Sequence, residues 1–292
     1  MKVLLTGGRG QLAAALYQTL APRHQVVALG HAELDITDGA AVAACLTRER
    51  PAILINTAAY HRVDDCEDEA ERSFAVNALA VLTLARWCAA NDAVFVHFST
   101  DYVFSGNERA PRSESDPPAP LSVYGASKLA GEYLARQACS RHFVIRTCGL
   151  YGHGGTSQKG GNFVEKMLAL AAAGQPIRVV DDQVLTPSYT VDVAAKTTQL
   201  MATSHYGLYH VTNGGSCSWY EFTRQLFALA GVSAELAPTT STEFVTRARR
   251  PAYSVLRHAA LARLGLNDLP TWDDALRRYF ATHNPARGAS SR

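Results

Sequence analysis

The chain opens on a pattern that few folds can use. Lys2 to Thr6 is a short apolar run with β-branched character, Gly7-Gly8-Arg9-Gly10 follows without a gap, and Gln11 to Leu16 continues as a helix. Strand, glycine turn and helix in this order form the context of a dinucleotide-binding fingerprint. Glycines let the backbone approach a pyrophosphate, and the amides at the helix N-terminus hold it. The spacing is G-x-x-G, with Ala13 at the third position, where the fingerprint tolerates alanine. A carboxylate ~20 residues further on would grip the adenosine ribose of NAD, but Gly30 and His31 fill that stretch. Arg9 sits inside the glycine loop, where its guanidinium can meet a 2′-phosphate. The expected cofactor is therefore NADPH, with NADH possible. Glu33 and Asp35 come slightly later, toward the adenine side.

A second constellation lies downstream of Ser99-Thr100. Val123 to Glu132 reads as a helix, and Tyr124 and Lys128, four residues apart, share one face of it. A fixed positive charge beside a phenol favours phenolate, so the Tyr124 pKa is expected below its usual ~10. That would make Tyr124 a general acid/base usable near neutral pH.

Between these two landmarks strands and helices alternate. Val26–Leu29, Ile53–Ile55 and Val94–Phe98 are apolar runs of strand length, and residues 40–48 and 70–90 read as helices. Repeated β-α units predict a parallel sheet covered on both faces. Ligands in such a sheet bind outside the carboxyl ends of the strands, so the Ser99 and Thr100 hydroxyls are both expected to face the cofactor. Residues 107–122, with four prolines, read as a loop, and so does the glycine-rich stretch 153–161. Residues 163–173 read as a helix, and the tail 285–292, without periodicity, is expected to be disordered.

Composition narrows the class. The 292 residues carry 28 basic and 26 acidic side chains, a net charge of +2 that suits no nucleic-acid stripe. The six cysteines show no C-x-x-C or metal spacing and read as reduced thiols. Met1 leads directly into the first strand, and no uninterrupted apolar run reaches the ~18 residues a membrane span needs. The expectation is a cytoplasmic protein with no membrane partner.

Taken together the motifs resemble the extended short-chain dehydrogenase/reductases, and within them the dTDP-4-dehydrorhamnose reductases. The resemblance covers nearly all of residues 1–280. It rests on the glycine turn with Gln11-Leu12, on Leu34 to Asp38, on Ile55 to Tyr60 with Val63-Asp64, on Asn77-Ala78, and on Ser99 to Phe104. Tyr124-Gly125-x-x-Lys128, Arg146-Thr147, Asn162-Phe163, Tyr209-His210, Ser218 to Phe222 and Arg250-Pro251 continue it. It implies a Rossmann-type doubly wound α/β sheet, residues 1–148 with returning segments near 180–205. A smaller, sequence-interleaved α/β substrate domain would take most of 149–284.

The same resemblance implies a chemistry. Thr100 would bond the reacting oxygen, Tyr124 exchange the proton, and Lys128 hold the nicotinamide ribose. Gly7, Gly10, Gln11 and Leu12 would meet the pyrophosphate, and Asp35 and Ile36 the adenine. Ala58, Ala59, Tyr60, His61 and Asn77 would line the cofactor groove. Asp101, Asn162, Gly149 and Arg250 would lie along a nucleotide-sugar substrate, and a homodimer is possible. The implied activity is NAD(P)H-dependent 4-ketoreduction of a nucleotide sugar, with a dTDP-4-keto-6-deoxyhexose foremost.

Departures from the family pattern bear on the substrate. A tryptophan commonly stands two residues after the Arg-Thr pair, and here that residue is Gly149, which should open or reshape the pocket. Some relatives bridge subunits through magnesium held partly by an acid on the first helix. Residues 11–20 contain no acid, so no metal is expected. Dehydratases of this superfamily follow the catalytic threonine with Asp-Glu, whereas this chain has Asp101-Tyr102. An epimerase or dehydratase therefore ranks second, and a non-catalytic NADP-binding regulatory subunit third. His97, inside an apolar strand, reads as a core histidine. Asp64 to Glu69 reads as acids favoured by a helix N-terminus, and Trp219 and Tyr220 as packing residues.

Overall fold

The computed structural model describes residues 1–154 and 161–282. The expected tail 285–292, and residues 155–160 of the expected loop, lie outside them. The chain runs β1 (Lys2–Thr6), α1 (Gln11–Leu20), β2 (Gln25–Leu29), α2 (Gly39–Glu49), β3 (Ile53–Asn56) and a short α3 (Val63–Asp68). Then α4 (Ala70–Phe74), a π turn (Ala75–Leu79) and α5 (Ala80–Ala90) follow end to end. Next come β4 (Val94–Thr100), α6 (Val123–Ala138), β5 (His142–Thr147), β6 (Leu150–Tyr151), α7 (Phe163–Ala172) and β7 (Ile177–Val180). After β8 (Val184–Leu185) and β9 (Ser188–Tyr189) come α8 (Thr190–Met201), β10 (Gly207–His210) and β11 (Cys217–Ser218). The last elements are α9 (Trp219–Ala230), β12 (Leu236–Thr239), α10 (Ala259–Arg263) and α11 (Trp272–Thr282).

Six parallel strands form the central sheet in the order β10-β5-β4-β3-β1-β2. Side chains alternate across it. Val3 and Leu5 meet Leu12, Leu16 and Val193 on one face, while Leu4 meets Val42, Leu46 and Val81 on the other. Two buried faces explain why the strands read as continuous apolar runs. The helical stretch Ala70–Ala90 is apolar enough to pass for a membrane span by length and composition. Here Val81, Leu84, Ala85 and Cys88 bury its inner side against the sheet.

A smaller α/β part is interleaved with this sheet. Its strands pair as β6 with β9, β7 with β12 and β8 with β11. Its core gathers Tyr151, Val164, Met167, Phe222, Leu226 and Tyr279, each large buried side chain contributing about 1.5–3 kcal/mol. Between these strands the chain returns to the main sheet, where α8 lies on α1 and β10 pairs with β5. Capping boxes fix two of the outer helices: Asn162 with Glu165 opens α7, and Ser218 with Glu221 opens α9.

Candidate active site

The candidate site starts at the carboxyl ends of β1 and β3, which lie side by side. Gly7 adopts φ +69, and a Cβ there would stand 2.6 Å from the amide nitrogen of Ala58. Only glycine lets the turn after β1 press against the loop after β3. Gly10 opens α1 without a side-chain cap, and no acid occupies the first turn. The amides of Gln11, Leu12 and Ala13 thus suit an anion, and the cradle fits a dinucleotide pyrophosphate. Leu12 contributes only its backbone, since its side chain belongs to the core. The Gln11 amide oxygen faces Asn162 Nδ2 at 3.4 Å.

Around this cradle the other expected cofactor residues divide. Arg9 pairs with Glu33 at 2.5 Å on the surface, and its hydrogen bond holds the Glu33 carboxyl below the usual range. Asp35 accepts from the amide and hydroxyl of Thr37, and Ile36 points into the core. Ala58 and Ala59 line the loop after β3, Tyr60 turns its hydroxyl to Glu69, and His61 is exposed. Asn77 departs from expectation. Its carboxamide grips both the amide and the carbonyl of Tyr60 at 2.9 Å and reaches Ser127 at 3.0 Å. It braces the loop against α6 from behind, with its polar atoms already committed.

At the carboxyl end of β4, Thr100, Asp101 and Tyr124 converge. The Thr100 hydroxyl donates to Asp101 Oδ1 at 3.0 Å, and the Tyr124 phenol lies close beside it. Tyr102 sets its ring edge-on to Tyr124, centroids 5.8 Å apart. Asp101 is buried, which raises its pKa, and it accepts from the Cys148 thiol at 3.0 Å. Two expectations are corrected here. Burial pushes the Tyr124 phenol above its ordinary pKa instead of below it. Lys128 Nζ donates to the carbonyl of Phe98 at 2.6 Å and stands 3.4 Å from His97 Nε2, so its charge does not govern the phenol. Ser99, one residue before Thr100, is committed further along α6. It donates to Glu132, which also takes both arms of the buried Arg146 guanidinium.

The substrate candidates sit around this centre. Arg250 is paired with Asp64 at 2.8 Å and lies close to Tyr102. Arg247 pairs with Asp68 and Asp65, so part of the acidic stretch is spent on ion pairs with residues distant in sequence. Asn162 caps α7 and donates to the carbonyl of Gly152 at 3.1 Å. Gly149 has φ +53, and a Cβ there would meet Leu185, Pro187 and Trp219 between 3.0 and 3.6 Å. A side chain at this position would find Leu185, Pro187 and Trp219 already in its space. Trp219 also packs on Phe163 with centroids 4.2 Å apart. Sequence reading missed Asn56 as a buried partner of His97, though a polar residue inside an apolar strand is a usable signal. Among the described residues no cluster of three His, Cys, Asp or Glu could hold a metal.

A parallel sheet with a glycine cradle after its first strand, and a Thr-Tyr-Lys set beside its fourth, defines a dinucleotide-dependent oxidoreductase of the short-chain type. Comparison with known proteins narrows this. The chain belongs to the RmlD substrate binding domain family, whose profile matches residues 1–284. It is 40% identical over 285 residues to a dTDP-4-dehydrorhamnose reductase of Streptomyces griseus, covering 95% of this chain and 92% of the relative. A probable dTDP-4,6-dihydroxy-2-methyloxan-3-one 4-ketoreductase of Streptomyces antibioticus is 39% identical, covering 98% and 99%. The crystal structure of a Bacillus anthracis dTDP-4-dehydrorhamnose reductase in complex with NADP superposes with TM-score 0.92 at 36% identity, covering 97% and 99%.

Proposed function

We propose that the protein is an NADPH-dependent 4-ketoreductase of a dTDP-activated 4-keto-6-deoxyhexose. The observation that carries this reading is the juxtaposition of Thr100 and Tyr124 at the end of β4, beside the glycine cradle. The bound dinucleotide supplies the hydride to the ketone carbon. The Thr100 hydroxyl turns its proton from Asp101 to the carbonyl oxygen, Tyr124 donates to the same oxygen, and as the π bond breaks the Tyr124 O–H passes its proton to it. A phenol whose pKa is raised by burial holds that proton at neutral pH, which suits the reducing direction. Solvent then returns a proton to Tyr124. Lys128 orients the nicotinamide ribose, Asp101 keeps Thr100 in place, and Arg250 and Asn162 are assigned to the nucleotide sugar. Elimination is disfavoured because residue 102, where a dehydratase places its second acid, is a tyrosine.

The test follows NADPH and NADH absorbance with dTDP-4-keto-6-deoxy sugars, wild type beside Tyr124→Phe. Turnover should fall by about 10²–10⁴-fold in the variant, with cofactor affinity kept. Equal turnover in both, or a product that has lost water without net reduction, would reject the assignment.

A further inference from the structure

Behind the cradle a line of polar groups crosses an otherwise apolar sheet. Thr6 and Asn56 at the ends of β1 and β3, His97 on β4 and Lys128 on α6 are all buried. Their hydrogen bonds fix where the protons are. Asn56 Oδ1 accepts from the Ala58 amide at 3.1 Å and from the Thr6 hydroxyl at 2.7 Å. A backbone N–H can only donate, so that atom must be the oxygen, and the group facing His97 Nδ1 at 3.1 Å is the NH₂. Nδ1 therefore accepts. A neutral imidazole with an accepting Nδ1 carries its proton on Nε2, and Nε2 lies 3.4 Å from Lys128 Nζ. An ammonium has no lone pair to receive that N–H, whereas a neutral amine has one.

We propose that His97 is a positioning residue for Lys128: with its proton on Nε2, it favours the neutral Lys128 amine in mildly alkaline solution, where dinucleotide binding draws a solvent proton onto Nζ. The surrounding charges fit. On α6 the titratable neighbours are Tyr124 and Glu132, and Glu132 is spent on Arg146 from β5 and on Ser99 from β4. Burial brings Lys128 down to about 8, with Glu132 pulling the other way. Burial keeps His97 well below its ordinary range, hence neutral, and a charge on Lys128, when present, acts the same way. The amine meanwhile donates to the Phe98 carbonyl. Once charged, the ammonium gains a third donor for the ribose hydroxyls and for the negative charge of the phosphates. The second half of this inference rests on the dinucleotide-binding reading; the first does not.

Two measurements separate the halves. Nitrogen-15 NMR of the free protein should find the His97 proton on Nε2, and a proton on Nδ1 would overturn the proposal. Calorimetry of NADP⁺ binding near pH 8.5, in two buffers of different ionisation enthalpy, should show uptake approaching about one proton. That uptake should vanish in Lys128→Met. Asn56→Asp places a carboxylate against Nδ1, moving the His97 proton there and freeing Nε2 to accept from a charged Lys128. Its proton uptake should fall toward zero while NADP⁺ still binds. Undiminished uptake in Lys128→Met or Asn56→Asp contradicts the proposal. Failure of the wild type to bind NADP⁺ would remove the cofactor reading, and the NMR result would still decide the tautomer.

Discussion

Asp64 accepts a hydrogen bond from the Arg250 guanidinium at 2.8 Å, joining positions 186 residues apart in the sequence. The same carboxylate takes the amide of Ala248 at 3.0 Å, while Glu67 takes the first amide of the Tyr124 helix, that of Val123, at 2.8 Å. One short helix therefore mounts both the proton donor and the arm that carries Arg250. Burial works against the Asp64 charge, yet its hydrogen bonds to Arg250 and Ala248 keep its carboxyl below the usual range.

Asp64→Asn keeps the shape of this mount and removes its charge. The KM for the nucleotide sugar should rise roughly ten-fold, about 1.4 kcal/mol, with NADPH affinity unchanged. Steady-state kinetics with both substrates varied would check it, and an equal loss for NADPH would point to a general folding defect instead.

The Glu132–Arg146 pair is almost fully buried at 2.7 Å, with Arg146 also stacked over Phe104 and close to His210. Burial, then the Arg146 charge, bring His210 down to about 3, so its neutral ring can accept from Arg146. Removing one partner leaves an uncompensated charge in the core, which costs about 3–5 kcal/mol. Urea unfolding of Arg146→Met should show a loss of that size. A loss below about 1 kcal/mol would mean that water reaches the pair.

How much of this was legible depends on how local the cause is. The glycine turn could be read because strand, turn and helix adjoin, and Gly7 needs only Ala58 as its neighbour. Helical spacing brought Tyr124 and Lys128 to one face, but spacing carries no information on burial, and burial sets both pKa values. Ser99 and Thr100 looked equivalent, but the fold commits Ser99 to Glu132 and leaves Thr100 beside Tyr124 at the start of the same helix. The Asp64–Arg250 pairing and the Cys148–Asp101 contact depend on tertiary folding and left no trace in either segment. β10 is short and starts with glycine, so it gave no apolar run, and only pairing with β5 makes it a strand.

Lys128 should leave a mark on stability as pH changes. Its folded pKa of about 8 lies below the ordinary 10.5. Below pH 8 the folded state bears the full cost of burying the charge; between about 8 and 10.5 the unfolded chain binds more protons, so stability rises with pH. The gap in unfolding free energy between wild type and Lys128→Met should shift toward wild type across that window, by up to about 3 kcal/mol. Comparing the two proteins cancels the buried cysteines, which act in the opposite direction. A gap that stays flat with pH would show a lysine of ordinary pKa.

Arg9 and Glu33 form an exposed pair beside Gly30, at the carboxyl end of β2. A 2′-phosphate would compete with Glu33 for the guanidinium, whereas a 2′-hydroxyl would find an acceptor in Glu33. Arg9→Ala should lower the NADPH-to-NADH ratio of kcat/KM by about ten-fold, and Glu33→Gln should raise it by a smaller factor. Identical ratios in both variants would place the adenosine ribose elsewhere.

Gly149 shows how a missing side chain can be structural. Its φ of +53 belongs to the left-handed region, where a side chain costs about 1–2 kcal/mol. An added Cβ would also stand 3.0 Å from the Leu185 methyl and 3.2 Å from Pro187 Cα. Leu185 can rotate away, but Pro187 is backbone and cannot. Gly149→Ala should therefore destabilise by about 2 kcal/mol while shifting Cys148, whose thiol bonds Asp101 beside Thr100. The second effect should appear as a lower kcat at saturating sugar, with cofactor affinity kept, because the disturbance reaches Thr100 and not the glycine cradle. Stability lost without any change in kcat would show that the Cys148–Asp101 contact does not hold Thr100 in place.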